Sequence, residues 1–160
     1  MMPAAPFDRT ILRQLVRAHK ALRRCGEQEL NRLGLRVGQD LIILRLADAG
    51  EMSQGQLAER LGVEQATVSI MVGRLVRAKL VERRSDAADA RVTNIRLTAK
   101  GRALEAPVRR IWADMETSLS AGLTPAEVRA LKSLLGRISL NLESRRPNHA
   151  ERTIRAQAVR

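Results

Sequence analysis

Aromatic residues are almost absent from this sequence. Its 160 residues include one tryptophan, one phenylalanine and no tyrosine, so we expect a core built from aliphatic side chains. The single cysteine, Cys25, excludes an internal disulfide and fits a reducing, cytoplasmic setting. No apolar run is long enough to span a bilayer, and the first residues lack the basic start and apolar core of a secretory leader. We therefore expect no membrane-spanning segment.

Groups that bind metals or perform catalysis are equally scarce. His19 and His149 are the only histidines and lie far apart in the sequence, so with one cysteine they form no metal-ligand pattern. The sequence also contains no glycine-rich phosphate loop and no nucleophile with a suitably spaced base. We predict a protein that is not an enzyme and that needs neither a metal nor a cofactor.

Basic residues, by contrast, are in excess. Lysine and arginine number 29 against 17 aspartates and glutamates, which gives a net charge of +12. Such a charge favours a polyanionic partner, most simply nucleic acid. A membrane surface, or a solvated basic surface without any partner, would also explain it. The length and the 44% apolar content fit one domain with a sizeable core.

Hydrophobic periodicity predicts six helical segments and one β-hairpin. The helices are expected at 8–33, 37–49, 53–61, 64–79, 98–119 and 124–143, and the hairpin strands at 80–84 and 92–97. Ser53 with Gln56, and Thr124 with Glu127, have capping-box spacing and mark two helix starts. Pro107 is expected to kink or interrupt the fifth helix, because proline cannot donate a backbone hydrogen bond. The fold class is therefore mainly α with a small β-hairpin (α+β).

The segment "SQGQLAERLGVEQATVSIMVGRL", Ser53 to Leu75, has the spacing of a helix-turn-helix. Its inward-facing positions are apolar or small, and Gly62 permits the tight turn. We expect Val63 to fill the corner between the two helices. We expect the inward set to be Leu57, Ala58, Leu61, Val68 and Met71.

The outer and leading surface of the second helix is the candidate DNA-reading surface. A helix placed in this way can enter the major groove, where polar side chains bond to base edges or phosphates and an apolar one contacts a thymine methyl. Ile70 is the candidate for the methyl contact. The candidate DNA-binding residues on this helix are Gln65, Ala66, Thr67, Ser69, Ile70 and Arg74.

The hairpin turn adds a second candidate contact. The turn between the two strands contains Asp86 and Asp89, and Arg91 is the only basic residue at its tip. The aspartates can accept backbone N–H bonds in the turn, or pair with an arginine and hold it in an extended pose. A helix-turn-helix, a following hairpin and a basic charge together predict a winged helix-turn-helix that binds double-stranded DNA.

These pieces resemble one known family. The segments "MSQGQLAERLGVEQATVSIMVGRLVRAKLVERRSDAADARVTNIRLTAKG", 52–101, and "LTPAEVRALKSLL", 123–135, are similar to the multiple-antibiotic-resistance regulator (MarR) family of dimeric bacterial repressors. The most specific piece is Asp-x-Arg in the wing followed by "IRLTAKG". The resemblance extends over nearly the whole chain, to about residue 143.

The resemblance implies a homodimer in which N- and C-terminal helices interleave and a pseudo-palindromic DNA site is bound. It places the recognition helix in the major groove and Arg91 in the minor groove. The implied organisation is a flexible tail at 1–7, an N-terminal dimerisation helix at 8–35, a winged helix-turn-helix domain at 36–100, C-terminal dimerisation helices at 101–143 and a frayed basic tail at 144–160.

The family also implies a small lipophilic or phenolic effector that binds between the dimerisation and DNA-binding regions and weakens DNA binding. Trp112 and Met115 are the candidate pocket residues, although simple core packing would equally account for them. Some relatives sense oxidants through a cysteine in the first helix, so Cys25 is either such a sensor or a small buried apolar residue.

The sequence departs from the family pattern at four positions. Ala88 and Ala90 are neutral where the family is often basic, Lys79 replaces a glycine common at the helix end, and Ile70 stands where arginine is frequent. These changes bear on DNA affinity and base preference. Two other function classes stay open: a low-specificity architectural nucleic-acid binder, since phosphate contacts dominate such binding, and a protein–protein interaction module built on a winged helix.

Overall fold

The computed structural model describes residues 7–85 and 92–144. They fall into two compact units, one ending at Thr117 and one beginning at Ser118. The helices are α1 (Ile11–Arg32), α2 (Gln39–Ala49), α3 (Gln54–Leu61), α4 (Gln65–Arg77), α5 (Ala99–Arg102), α6 (Glu105–Ser120) and α7 (Pro125–Glu143), and the strands are β1 (Glu51–Ser53), β2 (Val81–Ser85) and β3 (Thr93–Leu97). A short 3₁₀ turn, Phe7–Arg9, precedes α1. The mainly helical class with a small hairpin is confirmed.

Helix starts follow the local capping chemistry. Ser53 Oγ accepts the N–H of Gln56 at 3.2 Å while Gln56 Oε1 accepts the N–H of Ser53 at 2.8 Å, so the predicted capping box of α3 is confirmed. Thr124 and Glu127 form the same reciprocal arrangement at the start of α7. At α1 the cap is Thr10, whose side chain accepts the N–H of Arg13 at 3.2 Å.

The sheet contains one strand that periodicity did not predict. Its order is β1-β3-β2, and both pairings are antiparallel, with Ile95 of β3 opposite Met52 on one side and Arg83 on the other. β1 has only three residues, too few to show an alternating pattern. It completes a three-stranded sheet that packs against α2 and α3.

The fifth predicted helix is interrupted, as expected from Pro107. α5 ends at Arg102, and α6 begins again at Glu105. Because the proline ring would meet the carbonyl four residues earlier, that of Ala103, the chain leaves the helical path about one turn before Pro107. The prediction of an interruption is confirmed.

The core of the first unit is aliphatic, as the composition predicts. Its fully buried side chains are Leu35, Ile42, Ile43, Leu46, Leu57, Val68, Val72, Leu75, Val81, Ile95, Leu97 and Val108. Val63 does not join them. Its side chain is 39% exposed, and the helix-turn-helix corner is closed by a backbone hydrogen bond from Val63 N–H to the Ala58 carbonyl at 3.1 Å. The expected role of this side chain as a corner filler is therefore wrong.

The second unit contains the last turn of α6 and all of α7. No residue of α7 is buried, and five leucines along it are exposed: Leu131, Leu134, Leu135, Leu140 and Leu142. The beginning of α1 in the first unit likewise exposes Ile11, Leu12 and Val16. No helix of the described residues is long and apolar enough to cross a membrane.

Candidate nucleic-acid interface

The helix-turn-helix forms from α3 and α4. Gly62 adopts the left-handed conformation at φ 64° and ends α3, which is the backbone geometry that glycine permits without strain. On one side of the pair, Leu57 and Val68 are fully buried, and Val72 is buried one turn further along α4. Because these residues fix one face of α4 in the core, the opposite face projects into solvent.

The exposed face of α4 contains every helical residue predicted to bind DNA. Gln65, Ala66, Thr67, Ser69, Ile70 and Arg74 are all exposed. Ile70 is 59% exposed, although an aliphatic side chain of this size is usually buried. All six residues are thus accessible to solvent on the outer and leading surface of α4, where they supply hydrogen-bonding, apolar and cationic groups.

Two arginines near the end of this helix have no acidic partner among the described residues. Arg74 and Arg77 lie in the last turns of α4, and within residues 7–85 and 92–144 neither has an acidic partner. By contrast, Arg109 of α6 bonds to Asp48 and Glu105. Hydrogen bonds to Asp48 first, and then to Glu105, raise the pKa of Arg109 above its ordinary value.

The stem of the hairpin is held beside the end of α4. Thr98 N–H donates to the Leu80 carbonyl at 3.1 Å, and Thr98 Oγ1 donates to the Lys79 carbonyl at 2.8 Å. Gly101 packs against the same Leu80 carbonyl and is buried. This contact, which sequence reasoning did not find, fixes α5 and the base of the wing relative to α4.

The tip of the wing lies outside the described residues. Asp86, Asp89 and Arg91 all belong to 86–91, so their predicted roles stay predictions. Glu82 on β2 pairs with Arg96 on the adjacent strand β3. The stem therefore has a cross-strand ion pair, which aligns the two strands leading to the turn.

Comparison with known proteins finds a match to one family. Residues 33–92, which include the whole helix-turn-helix and the first wing strand, match the MarR family. The chain therefore resembles the MarR family over its helix-turn-helix and first wing strand.

Two relatives extend the match over most of the chain. It is 25% identical over 133 residues to the uncharacterised HTH-type transcriptional regulator YybA of Bacillus subtilis (strain 168), covering 83% of this chain and 89% of YybA. The structure is similar to that of Bordetella bronchiseptica BpsR, whose DNA binding is regulated by 6-hydroxynicotinic acid. The TM-score is 0.79, with 28% identity over 86% of this chain and 98% of the BpsR chain.

A third similar structure is a mutant of MarR from E. coli in complex with operator DNA. Its TM-score is 0.75, with 24% identity, and the match covers 84% of this chain and 99% of that chain. At this identity the likeness shows the fold alone. The fold of this chain is thus the winged helix-turn-helix of the MarR family.

Lys79 is a departure from the family pattern that the structure explains. It adopts a left-handed conformation at φ 59°, and it is the only non-glycine residue with positive φ in the described part of the chain. Its N–H donates to the Val76 carbonyl at 2.9 Å. The helix end therefore keeps the geometry that glycine usually provides, at a cost of about 1–2 kcal/mol for a residue with a Cβ.

The candidate effector residues connect α6 to two other helices. Trp112 Nε1 donates to Asp40 Oδ2 on α2 at 3.0 Å. Asp40 is only 5% exposed, whereas Trp112 is 41% exposed. Met115 faces α1, where its Sδ would lie 3.5 Å from a Cβ placed on Gly26. Both residues bridge elements of the first unit, and their place in an effector pocket stays a prediction.

Cys25 is exposed on α1, so its interpretation as a small buried apolar residue is wrong. Oxidant sensing by this thiol stays a prediction. Among the described residues, no group of three or more His, Cys, Asp or Glu side chains is placed to hold a metal ion.

Proposed function

We propose that this chain is a ligand-responsive transcriptional repressor that binds a pseudo-palindromic DNA site as a homodimer. The observation that carries the proposal is the solvent-exposed outer surface of α4, whose opposite side packs into the buried core of the helix-turn-helix. The match of residues 33–92 to the MarR family and the likeness to BpsR, whose DNA binding is regulated by 6-hydroxynicotinic acid, support it. The protein would act in the bacterial cytoplasm, associated with the nucleoid when bound to DNA.

The recognition helix supplies chemistry for reading bases. Gln65, Thr67 and Ser69 have donors and acceptors suited to base edges or phosphates, and Arg74 adds a cation. Ile70 stands where the family often has arginine, and its apolar side chain can contact a thymine methyl group instead of making a polar contact. With 13 residues, α4 is long enough to lie across a major groove of about 12 Å, because each helical residue rises about 1.5 Å.

The wing would supply a second contact in the minor groove. In this proposal Arg91 enters the groove, while Asp86 and Asp89 orient the turn or the arginine. A narrow minor groove concentrates negative potential and attracts an inserted arginine. An exposed aspartate–arginine pair adds little stability, so its contribution would be the direction of the side chain.

A second copy of the chain would cover the exposed apolar faces of α1 and α7. No side chain of the 19-residue helix α7 is buried, so it lacks the tertiary packing that supplies most of the stability of helices in proteins, and its exposed leucines favour association. A twofold dimer presents two copies of α4, which matches two half-sites about one helical turn apart. Sedimentation of the purified chain tests this step: a monomer at micromolar concentration would contradict it.

Trp112 and Met115 would contact a small lipophilic or phenolic effector. The indole of Trp112 is partly exposed and anchored at one edge by Asp40, so its ring can stack on an aromatic ligand. Because Trp112 is the only tryptophan, its fluorescence reports directly on this position. We expect aromatic acids that release DNA to change this fluorescence saturably at the same concentrations.

Binding to two duplexes separates the proposed function from its rivals. One duplex carries the palindrome upstream of the protein's own gene, and the other has the same bases scrambled. The proposal requires a large affinity ratio between them at ~0.15 M salt. A ratio near one would instead indicate a low-specificity architectural binder, and no binding to either duplex would indicate a protein–protein interaction module.

A further inference from the structure

A recess opens at the C-terminal end of α4, where the loop between α1 and α2 meets it. Its volume is about 470 Å³, within the range of ordinary ligand sites. Leu75 and Leu80 are buried and form its floor. Three arginines line it: Arg36 from the α1–α2 loop, and Arg74 and Arg77 from α4.

None of these arginines has an acidic partner in the part of the chain that the structure describes. Arg36, Arg74 and Arg77 are exposed and have no ion pair within residues 7–85 and 92–144, and no acidic side chain lines the recess. The helix dipole accounts for cations in the last turn of α4. It does not account for Arg36, which lies outside any helix. Three like charges around one recess favour an anion that can bind between them.

The backbone of Arg36 is fixed in place. Its N–H donates to Gln39 Oε1 at 2.8 Å, and its carbonyl accepts the N–H of Gln39 at 3.0 Å. Gln39 is only 5% exposed and itself lines the recess. Its Nε2 group donates to no other described residue. The recess therefore combines a preorganised loop, three guanidinium groups and an amide donor that is free to bond to an oxyanion.

The recess is connected to the predicted DNA-reading surface through Arg74 and Arg77 of α4, which line it. At 100° per residue, Thr67, Ile70, Arg74 and Arg77 fall on one stripe of α4. Arg77 lies ten positions beyond Thr67, or about 15 Å along the helix axis, whereas the major groove is about 12 Å wide. A helix whose first turns contact bases would thus bring its last turn to the sugar–phosphate backbone at the groove edge.

We propose that the recess lined by Arg36, Gln39, Arg74 and Arg77 is a phosphate-binding site that takes a backbone phosphate of the bound duplex. The DNA assignment rests on the proposed function. The site can bind any phosphate group, because phosphate oxygens accept hydrogen bonds from guanidinium groups and from an amide donor. A free phosphate is thus the other source of the same ligand. Arg36 and Gln39 then become DNA-contacting residues outside the helix-turn-helix.

The first test measures the salt dependence of DNA binding for Arg36→Gln. This change removes the guanidinium but keeps the backbone bonds to Gln39. The matched control is Arg45→Gln, an exposed arginine of α2 without an ion pair among the described residues. We expect Arg36→Gln to reduce the slope of log K against log[salt] by about 0.9 per subunit. It should weaken the palindromic and scrambled duplexes equally, while Arg45→Gln leaves the slope unchanged.

The second test uses inorganic phosphate and needs no DNA. Phosphate replaces chloride at constant ionic strength, and the side-chain amide of Gln39 is followed by NMR. A saturable shift in the wild-type chain that is absent from Arg36→Gln supports the site.

The outcomes separate the two proposals. An unchanged salt slope for Arg36→Gln, with the wild-type chain still selecting the palindrome, would overturn the DNA assignment and leave the proposed function standing. A phosphate shift in that case would identify free phosphate as the source. No response in either test would overturn the site altogether. Failure of the wild-type chain to bind any DNA would contradict the proposed function. The phosphate titration would still test whether the recess binds phosphate.

Discussion

Gly101→Ala is the substitution for which the structure makes the sharpest stability prediction. In most helices this change is favourable by about 1 kcal/mol, because alanine loses less backbone entropy. At Gly101 a Cβ would overlap deeply with the Leu80 carbonyl oxygen, while lying 3.0 Å from the carbonyl carbon and 3.2 Å from Leu97 Cδ2. The obstacle is backbone, so no side-chain rotation can relieve the clash.

The expected loss of folding stability depends on the atoms that the new Cβ would displace. Overpacking of this kind costs about 1–3 kcal/mol. Displacing the Leu80 carbonyl also weakens its hydrogen bond from Thr98 N–H, at 3.1 Å, which contributes about 1 kcal/mol. After the helix-propensity gain, we expect a net loss of about 2 kcal/mol and a Tm lower by about 4–8 °C for a chain of this size.

Urea unfolding followed by circular dichroism measures this loss. The matched control is Gly73→Ala on α4, where a Cβ would have no neighbour within 4 Å. We expect the control to be stabilised by about 0.5–1 kcal/mol. A Gly101→Ala variant as stable as the control would refute the proposed packing of α5 on the base of the wing.

Three further substitutions test other parts of the account. Arg91→Ala should cost ~1–3 kcal/mol of DNA binding and reduce the salt slope by roughly one, and unaltered affinity would refute the wing contact. Trp112→Phe leaves Asp40 Oδ2 without its donor, so urea unfolding should show a loss of about 1–3 kcal/mol; equal stability would show that this bond is unimportant. Thr124→Ala should cost α7 about 1 kcal/mol as a lost cap. Hydrogen bonds from the Thr124 backbone N–H, and secondly from its hydroxyl, lower the pKa of Glu127 below its ordinary value of 4.5. The stabilisation of the folded chain by these bonds is therefore fully present above pH 4.5, and it is lost as the pH falls through the lowered pKa. Thr124→Ala removes the hydroxyl bond but keeps the larger backbone contribution, so it should make the acid limb of a stability–pH curve shallower without abolishing it, and an unchanged limb would contradict this.

Features that depend on residues close in sequence were predictable. The capping boxes of α3 and α7 join residues three positions apart, and the exposed set on α4 follows from the helical period alone. The interruption near Pro107 needed only the chemistry of proline. These elements are specified by the local sequence, whatever the rest of the chain does.

Features that depend on distant residues were not predictable. Trp112 and Asp40 are 72 positions apart, and β1 exists only because it pairs with β3. The phosphate recess was missed for the same reason. Arg36 lies in a loop, and only the packing of α1, α2 and α4 brings it beside Arg74 and Arg77. Periodicity identifies which face of a helix is buried, but not which neighbour covers it.

We propose that the outer and leading surface of α4 reads specific bases. Selection of bound duplexes from a randomised pool by the wild-type chain, repeated with Gln65→Ala, tests it most directly. We expect the wild-type chain to enrich a pseudo-palindrome with half-sites about one helical turn apart. Gln65→Ala should show a relaxed base preference at one position in each half-site. A pool that stays random under the wild-type chain, or an identical preference for the variant, would contradict it.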